Sequence, residues 1–175
     1  MRTARSLTIS VMMAGLLAAG SIGPAFAGGA QKLSGTRFEM NVPGGWAPGY
    51  KDLDNLLMIY FKNPKTNTAL EGVYLRKVQT ADFNLAQFKK WRIEAENKRY
   101  SGKGYTVVKE GDLTIAGEKG NYILTTWKDG GKTYVKHTAQ YLKNGGQYMI
   151  VLHGERGKVN KKIFDEAVKS FSLAK

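Results

Sequence analysis

Apolar residues recur along this chain with two periods, and the switches between them mark where strands give way to helices. From Thr36 to Val42, the apolar residues Phe38, Met40 and Val42 alternate with polar ones, the pattern of a half-buried strand. Pro43 has no amide to give a ladder, so that strand is expected to stop there. Gly44-Gly45-Trp46-Ala47-Pro48-Gly49 reads as a turn region carrying one large aromatic. Leu56 to Lys62 is a continuous apolar run closed by Asn63-Pro64, which predicts a buried strand and a turn. Ala69 to Val78 follows as another strand, in which Leu70 and Gly72 are offset from Val73 and Leu75, so two inward faces compete.

The period then lengthens. Leu85 to roughly Tyr100 is predicted as a helix, with Asn84 and Gln87 at capping-box spacing and Phe83 and Phe88 at the positions of a hydrophobic staple. Leu85, Phe88, Trp91 and Ala95 form the expected buried stripe, while Lys89, Lys90, Arg92, Lys98 and Arg99 occupy much of the remaining surface. Gly102 and Gly104 end the helix.

A meander follows. Tyr105 to Lys109 and Leu113 to Ala116 read as strands or as one bent strand. Asn121 to Lys128, Lys132 to Lys143 and Gln147 to Gly154 read as long strands, joined by Asp129-Gly130 and Asn144-Gly145, dipeptides that tolerate the positive φ of hairpin turns. A final helix is expected from Lys161 to about Lys169, capped by Asn160, with Val159 and Phe164 repeating the staple and Ile163, Phe164, Ala167 and Val168 on one side. Phe171 and Leu173 return the tail to the core. Three strands, a helix, a run of antiparallel strands and a helix make an α+β order, one antiparallel sheet flanked by helices in a single domain.

Ahead of this domain, residues 1–27 have the three parts of a cleaved export signal. Arg2 and Arg5 give a positive start, Leu7 to Ala19 is mostly apolar and uncharged, and Ala25-Phe26-Ala27 presents small residues at the cleavage positions. The apolar run is too short for a bilayer span, which needs about 20 residues, and no cysteine is available for a lipid anchor. The protein is therefore expected in the periplasm or outside the cell, beginning near Gly28. With zero cysteines, it must be held by packing alone, and thiol, redox and Cys-type zinc chemistry are excluded. Of the formal net charge of +13, the leader holds two charges, leaving +11 on the exported domain. Such a field favours encounter with acidic partners.

Catalytic constellations are sparse. His137 and His153 are the two imidazoles. If Asn144-Gly145 is a two-residue loop, His137 faces Leu152 and shares a side with Val135, Ala139, Tyr141, Tyr148 and Ile150. His153 then points to the other side with Met149 and Val151, so the two cannot share a metal. Ser34, Ser101, Ser170 and Ser172 have no nucleophile elbow around them, and Gly102-Lys103-Gly104 follows a helix where a phosphate loop precedes one. Lys132, Tyr134 and Lys136 share a strand face with Trp127 nearby, which reads as an aromatic rim with lysines extending over it.

Three stretches also carry a family resemblance. Phe38-x-Met40-x-Val42-Pro43-x-Gly45-Trp46, Leu57-Met58-Ile59-Tyr60-Phe61 before Asn63-Pro64, and Ile163-Phe164 through Ser170-Phe171 resemble, in order and spacing, the PsbP-like family. Its fold is shared by Mog-type Ran-binding proteins and periplasmic DcrB. The resemblance implies an antiparallel sheet between helical layers, used as a binding or assembly module with no common catalytic residue set. Photosynthetic members support metal retention in an oxygen-evolving complex, but no metal-binding residue maps onto this chain.

The expected function is that of a non-enzymatic, monomeric envelope protein without cofactor or metal, binding an acidic protein or envelope component. Nucleic acid is not expected as its ligand. The expected contact residues are Lys89, Lys90 and Arg92 on the first helix, with Trp46 and Tyr50 in the preceding turn region. One alternative is a small-molecule or lipid carrier with an apolar pocket lined by Tyr122, Leu124 and Tyr141. A hydrolase would need a serine and a carboxylate beside His137 or His153.

Overall fold

A computed structural model of the chain describes residues 30–31, 37–75 and 83–174. The expected leader lies outside the described residues, as does the end of the strand expected to run to Val78. The described elements are β1 (Ala30–Gln31), β2 (Phe38–Asn41), β3 (Ala47–Leu53), β4 (Leu56–Lys62), β5 (Ala69–Leu75), α1 (Leu85–Arg99), β6 (Thr106–Ile115), β7 (Glu118–Asp129), β8 (Lys132–Lys143), β9 (Gly146–Glu155), α2 (Lys161–Ser170) and β10 (Ser172–Leu173).

Seven strands form one antiparallel sheet in the order β3-β4-β5-β9-β8-β7-β6, and β1-β2-β10 form a small second sheet. Asn144 and Gly145 both have positive φ and make the expected two-residue turn, which pairs Lys143 with Gly146 and His137 with Leu152. The preceding hairpin turns one residue later than expected, on Gly130-Gly131, because Asp129 pairs with Lys132. The bent strand after α1 is a single strand, β6, whose register shifts between Val107 and Lys109 and leaves Val108 exposed.

The sheet separates two unequal layers. On one face, Ile59, Leu70, Tyr141, Ile150 and Leu152 pack against Phe38 and Met40 of β2, Phe164 and Ala167 of α2, and Phe171 in one buried cluster. The competition in β5 is settled by this layer: Leu70, Gly72 and Tyr74 point toward it, and the Phe38 ring occupies the space a side chain at position 72 would need. On the other face, Phe88 of α1 packs on Val73, Met149 and Val151 in a smaller cluster.

Two expectations are corrected. Ala47–Leu53, whose first residues through Tyr50 are read from sequence as a turn region, is strand β3, paired along its length with β4. It lies at the edge of the sheet, where the missing amide of Pro48 leaves no interior ladder bond unmade. The buried stripe of α1 is also different: Trp91 (46 % exposed) and Ala95 face outward, whereas Glu96 is buried and Arg92 is half-buried. The inward row is Phe88, Arg92, Glu96 and Tyr100, one residue per turn, and the cause is the sheet beneath it.

Candidate functional site

The helix α1 is built as its sequence predicts. Asn84 Oδ1 accepts from the amides of Ala86 (3.0 Å) and Gln87 (3.1 Å), and Gln87 Oε1 accepts from the Asn84 amide (2.8 Å), closing the capping box. Its underside meets Lys136, which β8 holds in the middle of the sheet at 4 % exposure. A buried ammonium needs an anion and further polar contacts, or its desolvation is uncompensated. Glu96 supplies the anion. Its Oε1 accepts from Lys136 Nζ at 2.9 Å and from Arg92 Nη2 at 2.7 Å, and Lys136 Nζ also donates to Tyr100 OH at 3.3 Å. Lys136 is therefore not a lysine reaching over a rim, as its strand pattern suggested. It is the centre of a buried charge cluster.

Aromatic rings close this cluster. Tyr100 stacks on Trp127 with centroids 4.4 Å apart, Trp127 stacks on Tyr134 at 5.4 Å, and Lys136 Nζ lies about 5 Å from the Tyr100 and Trp127 centroids. Burial pushes the Tyr105 phenol well above its usual pKa, and the Glu96 carboxylate adds to the rise. Beside this group, His153 Nε2 and Glu71 Oε1 are 2.9 Å apart. Burial pushes the Glu71 carboxyl up, but the His153 contact, with Lys136 and Arg92 nearby, outweighs it and holds the group below the usual range. Acids and bases under α1 thus pair with one another, with Arg92 Nε the donor of the group left buried without a hydrogen bond. No such cluster was legible in the sequence, although Phe88, Arg92, Glu96 and Tyr100 recur at four-residue spacing opposite a lysine in an otherwise buried strand.

The five expected contact residues do not form one patch. Trp46 is buried in the main core, and Tyr50, paired with Ile59, lies on that same side of the sheet with its hydroxyl donating to Asp52 (3.0 Å). Lys89, Lys90 and Arg92 ride on α1 over the opposite face. Lys89 bridges to Glu110 of β6 (2.6 Å), Arg92 turns inward to Glu96, and Lys90 stands exposed 4.0 Å from Glu94.

The other candidates separate as well. His137 lies under α2, its Nδ1 2.8 Å from Tyr122 OH, while His153 is under α1. Burial lowers the His137 pKa, Lys161 lowers it further, and Asp165 partly opposes them. Where the carrier alternative places a pocket, the Tyr122 ring packs on Phe164 and the Tyr141 ring on Tyr148 and Phe171. A groove of about 460 Å³ lies elsewhere, between β2 and α2, lined by Asn41, Val42, Pro43, Lys162, Ile163, Asp165 and Glu166. Among the described residues, no three His, Cys, Asp or Glu side chains are grouped to hold a metal, and no helix is long and apolar enough to cross a membrane.

Cations are distributed unevenly over the surface. One end of the sheet gathers the β4–β5, β7–β8 and β9–α2 connections, the last turn of α1 and the first turns of α2. Lys62, Lys65, Lys98, Arg99, Lys103, Lys128, Lys132, Arg156, Lys158, Lys161 and Lys162 are all exposed there, against the carboxylates Asp129, Glu155, Asp165 and Glu166. Lys103 is paired with Asp129 (3.0 Å), Lys132 and Lys158 share Glu155 (3.1 and 2.9 Å), and Lys161 holds Asp165 (2.6 Å). The turns at the opposite end carry Lys51, Lys119 and Lys143 with Asp52, Asp54, Asp112 and Glu118.

The architecture has solved counterparts. The cyanobacterial PsbP protein CyanoP from Synechocystis sp. PCC 6803 is similar at 14 % identity and a TM-score of 0.65, over 91 % of this chain and 99 % of that one. A point mutant of Mog1 is similar at 13 % identity and a TM-score of 0.59, over 83 % and 95 %. LpqN of Mycobacterium tuberculosis follows at 12 % identity and a TM-score of 0.55, over 85 % and 86 %. These likenesses show a PsbP/Mog-like fold. No curated protein matches the chain by sequence. A family model described as a serine/threonine kinase C-terminal domain matches residues 34–173, a stretch that takes in every element from β2 to β10, and the chain belongs to that family.

Proposed function

We propose that this chain is an exported, non-catalytic binding or assembly module of the periplasm or cell envelope, recognising an acidic protein or envelope component. The observation that carries the reading is the gathering of exposed lysines and arginines at one end of the sheet, where they outnumber their carboxylate partners. The charges in the interior are consumed by internal pairs, so attraction to an acidic partner comes from this end. The leader-like residues 1–27 support export. LpqN, which shares the fold, is involved in cell envelope biogenesis, and a family named for its place at the C-terminus of kinases fits a module joined to catalytic domains.

Cell fractionation tests this. The protein is expected in the envelope fraction, with a mass lacking residues 1–27, and is released by raised salt. Recovery of the full-length chain from the cytoplasm, or retention indifferent to salt, contradicts the reading.

A further inference from the structure

The basic end of the sheet has a shape as well as a charge. Its cations come from β4, β7 and β8, from the connections that follow β4, α1 and β9, and from the ends of both helices, across the five adjacent strands β4, β5, β9, β8 and β7. At the usual strand spacing this spans about 20 Å. The connections that form it are Asn63-Pro64-Lys65-Thr66-Asn67-Thr68, Ser101-Gly102-Lys103-Gly104, Gly130-Gly131 and Arg156-Gly157-Lys158-Val159-Asn160. They carry small and basic residues and no aromatic or long aliphatic side chain that could insert into hydrocarbon, and the connection from β2 to β3 at the same end keeps Val42 and Trp46 buried. Lys65, Lys128, Arg156 and Lys162 stand there exposed, with no carboxylate partner among the described residues.

A single anionic strand or peptide is best matched by a line of charge in a groove, whereas cations spread over a broad end match a surface of separate anions. We infer that this end rests on the anionic headgroups of a lipid bilayer, by charge alone and without insertion. The inference rests on the reading that an acidic envelope component is recognised through exposed cations, and it names that component. Docked so, the sheet stands on its basic tips with its strands running roughly along the membrane normal, leaving the opposite turns and the exposed Trp91 free for other partners.

The test uses the exported protein with its leader removed, since every described element lies within residues 30–174. It is sedimented with vesicles of phosphatidylcholine alone or with about one-third phosphatidylglycerol. Binding is expected to the anionic vesicles only, falling roughly tenfold when salt shortens the screening length from about 8 Å to about 3 Å. Lys65→Glu with Arg156→Glu is expected to weaken binding roughly tenfold. Lys51→Glu with Lys119→Glu, an equal change in net charge at the other end, is expected to leave it within about twofold. Equal losses in the two variants, or no preference for anionic vesicles, overturn the inference. So does binding to polyglutamate with the same variant pattern when vesicles are ignored, which assigns the surface to an acidic protein. In that last case salt-sensitive envelope retention persists and the proposed function stands. If retention is also lost, both fail.

Discussion

Glu96 serves two cations, and that asymmetry decides what substitutions at the buried cluster do. Lys136→Met removes one cation but leaves Glu96 with Arg92 at 2.7 Å, so the remaining carboxylate is still compensated. A loss of about 1–3 kcal/mol in unfolding free energy is expected. Glu96→Gln strips both Lys136 and Arg92 of the carboxylate they bond directly, leaving only the more distant Glu71 as an anion under the helix, and about 3–5 kcal/mol is expected. Urea denaturation of the two variants checks the order, and a larger loss for Lys136→Met contradicts it. At the same scale, pH acts through His137 and Glu71. The folded state lowers the His137 pKa below its ordinary 6.5, so folding favours the neutral ring. Its contribution is fully present above 6.5 and is lost as pH falls from there through the lowered folded value. The Glu71 carboxyl is also lowered from 4.5, so its contribution disappears in a second, more acidic step. Thermal midpoints measured from pH 8 to pH 3 are expected to decline in that order, with His137→Gln abolishing the upper step.

Elements were legible where their cause is local and obscure where it lies across the fold. The capping box at Asn84, the staple at Phe83 and Phe88, and the Asn144-Gly145 turn depend on residues within one or two turns of chain, and the structure forms them as read. Register followed from that turn, placing His137 and His153 on opposite faces. Strand β3 was missed because Pro48-Gly49 signals a turn unless the strand lies at an edge, a fact set by β4. The face of α1 was misread because Glu96 is buried only by virtue of Lys136, forty residues on. Two strand glycines give a test of packing at this scale. Gly72 faces the Phe38 ring, which is buried and stacked on Phe171 (5.3 Å), so it cannot withdraw. Gly49 faces the Tyr60 ring, which is 36 % exposed and can swing into solvent. Gly72→Ala is expected to lose about 1–3 kcal/mol and Gly49→Ala about 0.5 kcal/mol or less. Equal thermal shifts contradict this.

At the scale of the whole molecule, the sequence discloses a net charge but not its distribution. Lysines 62, 128 and 158 are far apart along the chain and come to share one end of the sheet only because antiparallel strands bring their turns together there. The expected contact residues failed to converge for the converse reason: Trp46 and Tyr50 precede α1 in sequence, yet the sheet lies between them and that helix. Among the described residues the domain is therefore electrically polarised, with charge neutralised in its interior and an excess of cations displayed at one end. The most direct measurement is retention of the exported protein on isolated envelopes as salt is raised from about 0.15 M to about 1 M, where the screening length falls from about 8 Å to about 3 Å. The account predicts release over this range, and earlier release for the Lys65→Glu/Arg156→Glu variant than for Lys51→Glu/Lys119→Glu. Retention that is unaffected by salt, or that responds identically to both variants, contradicts it.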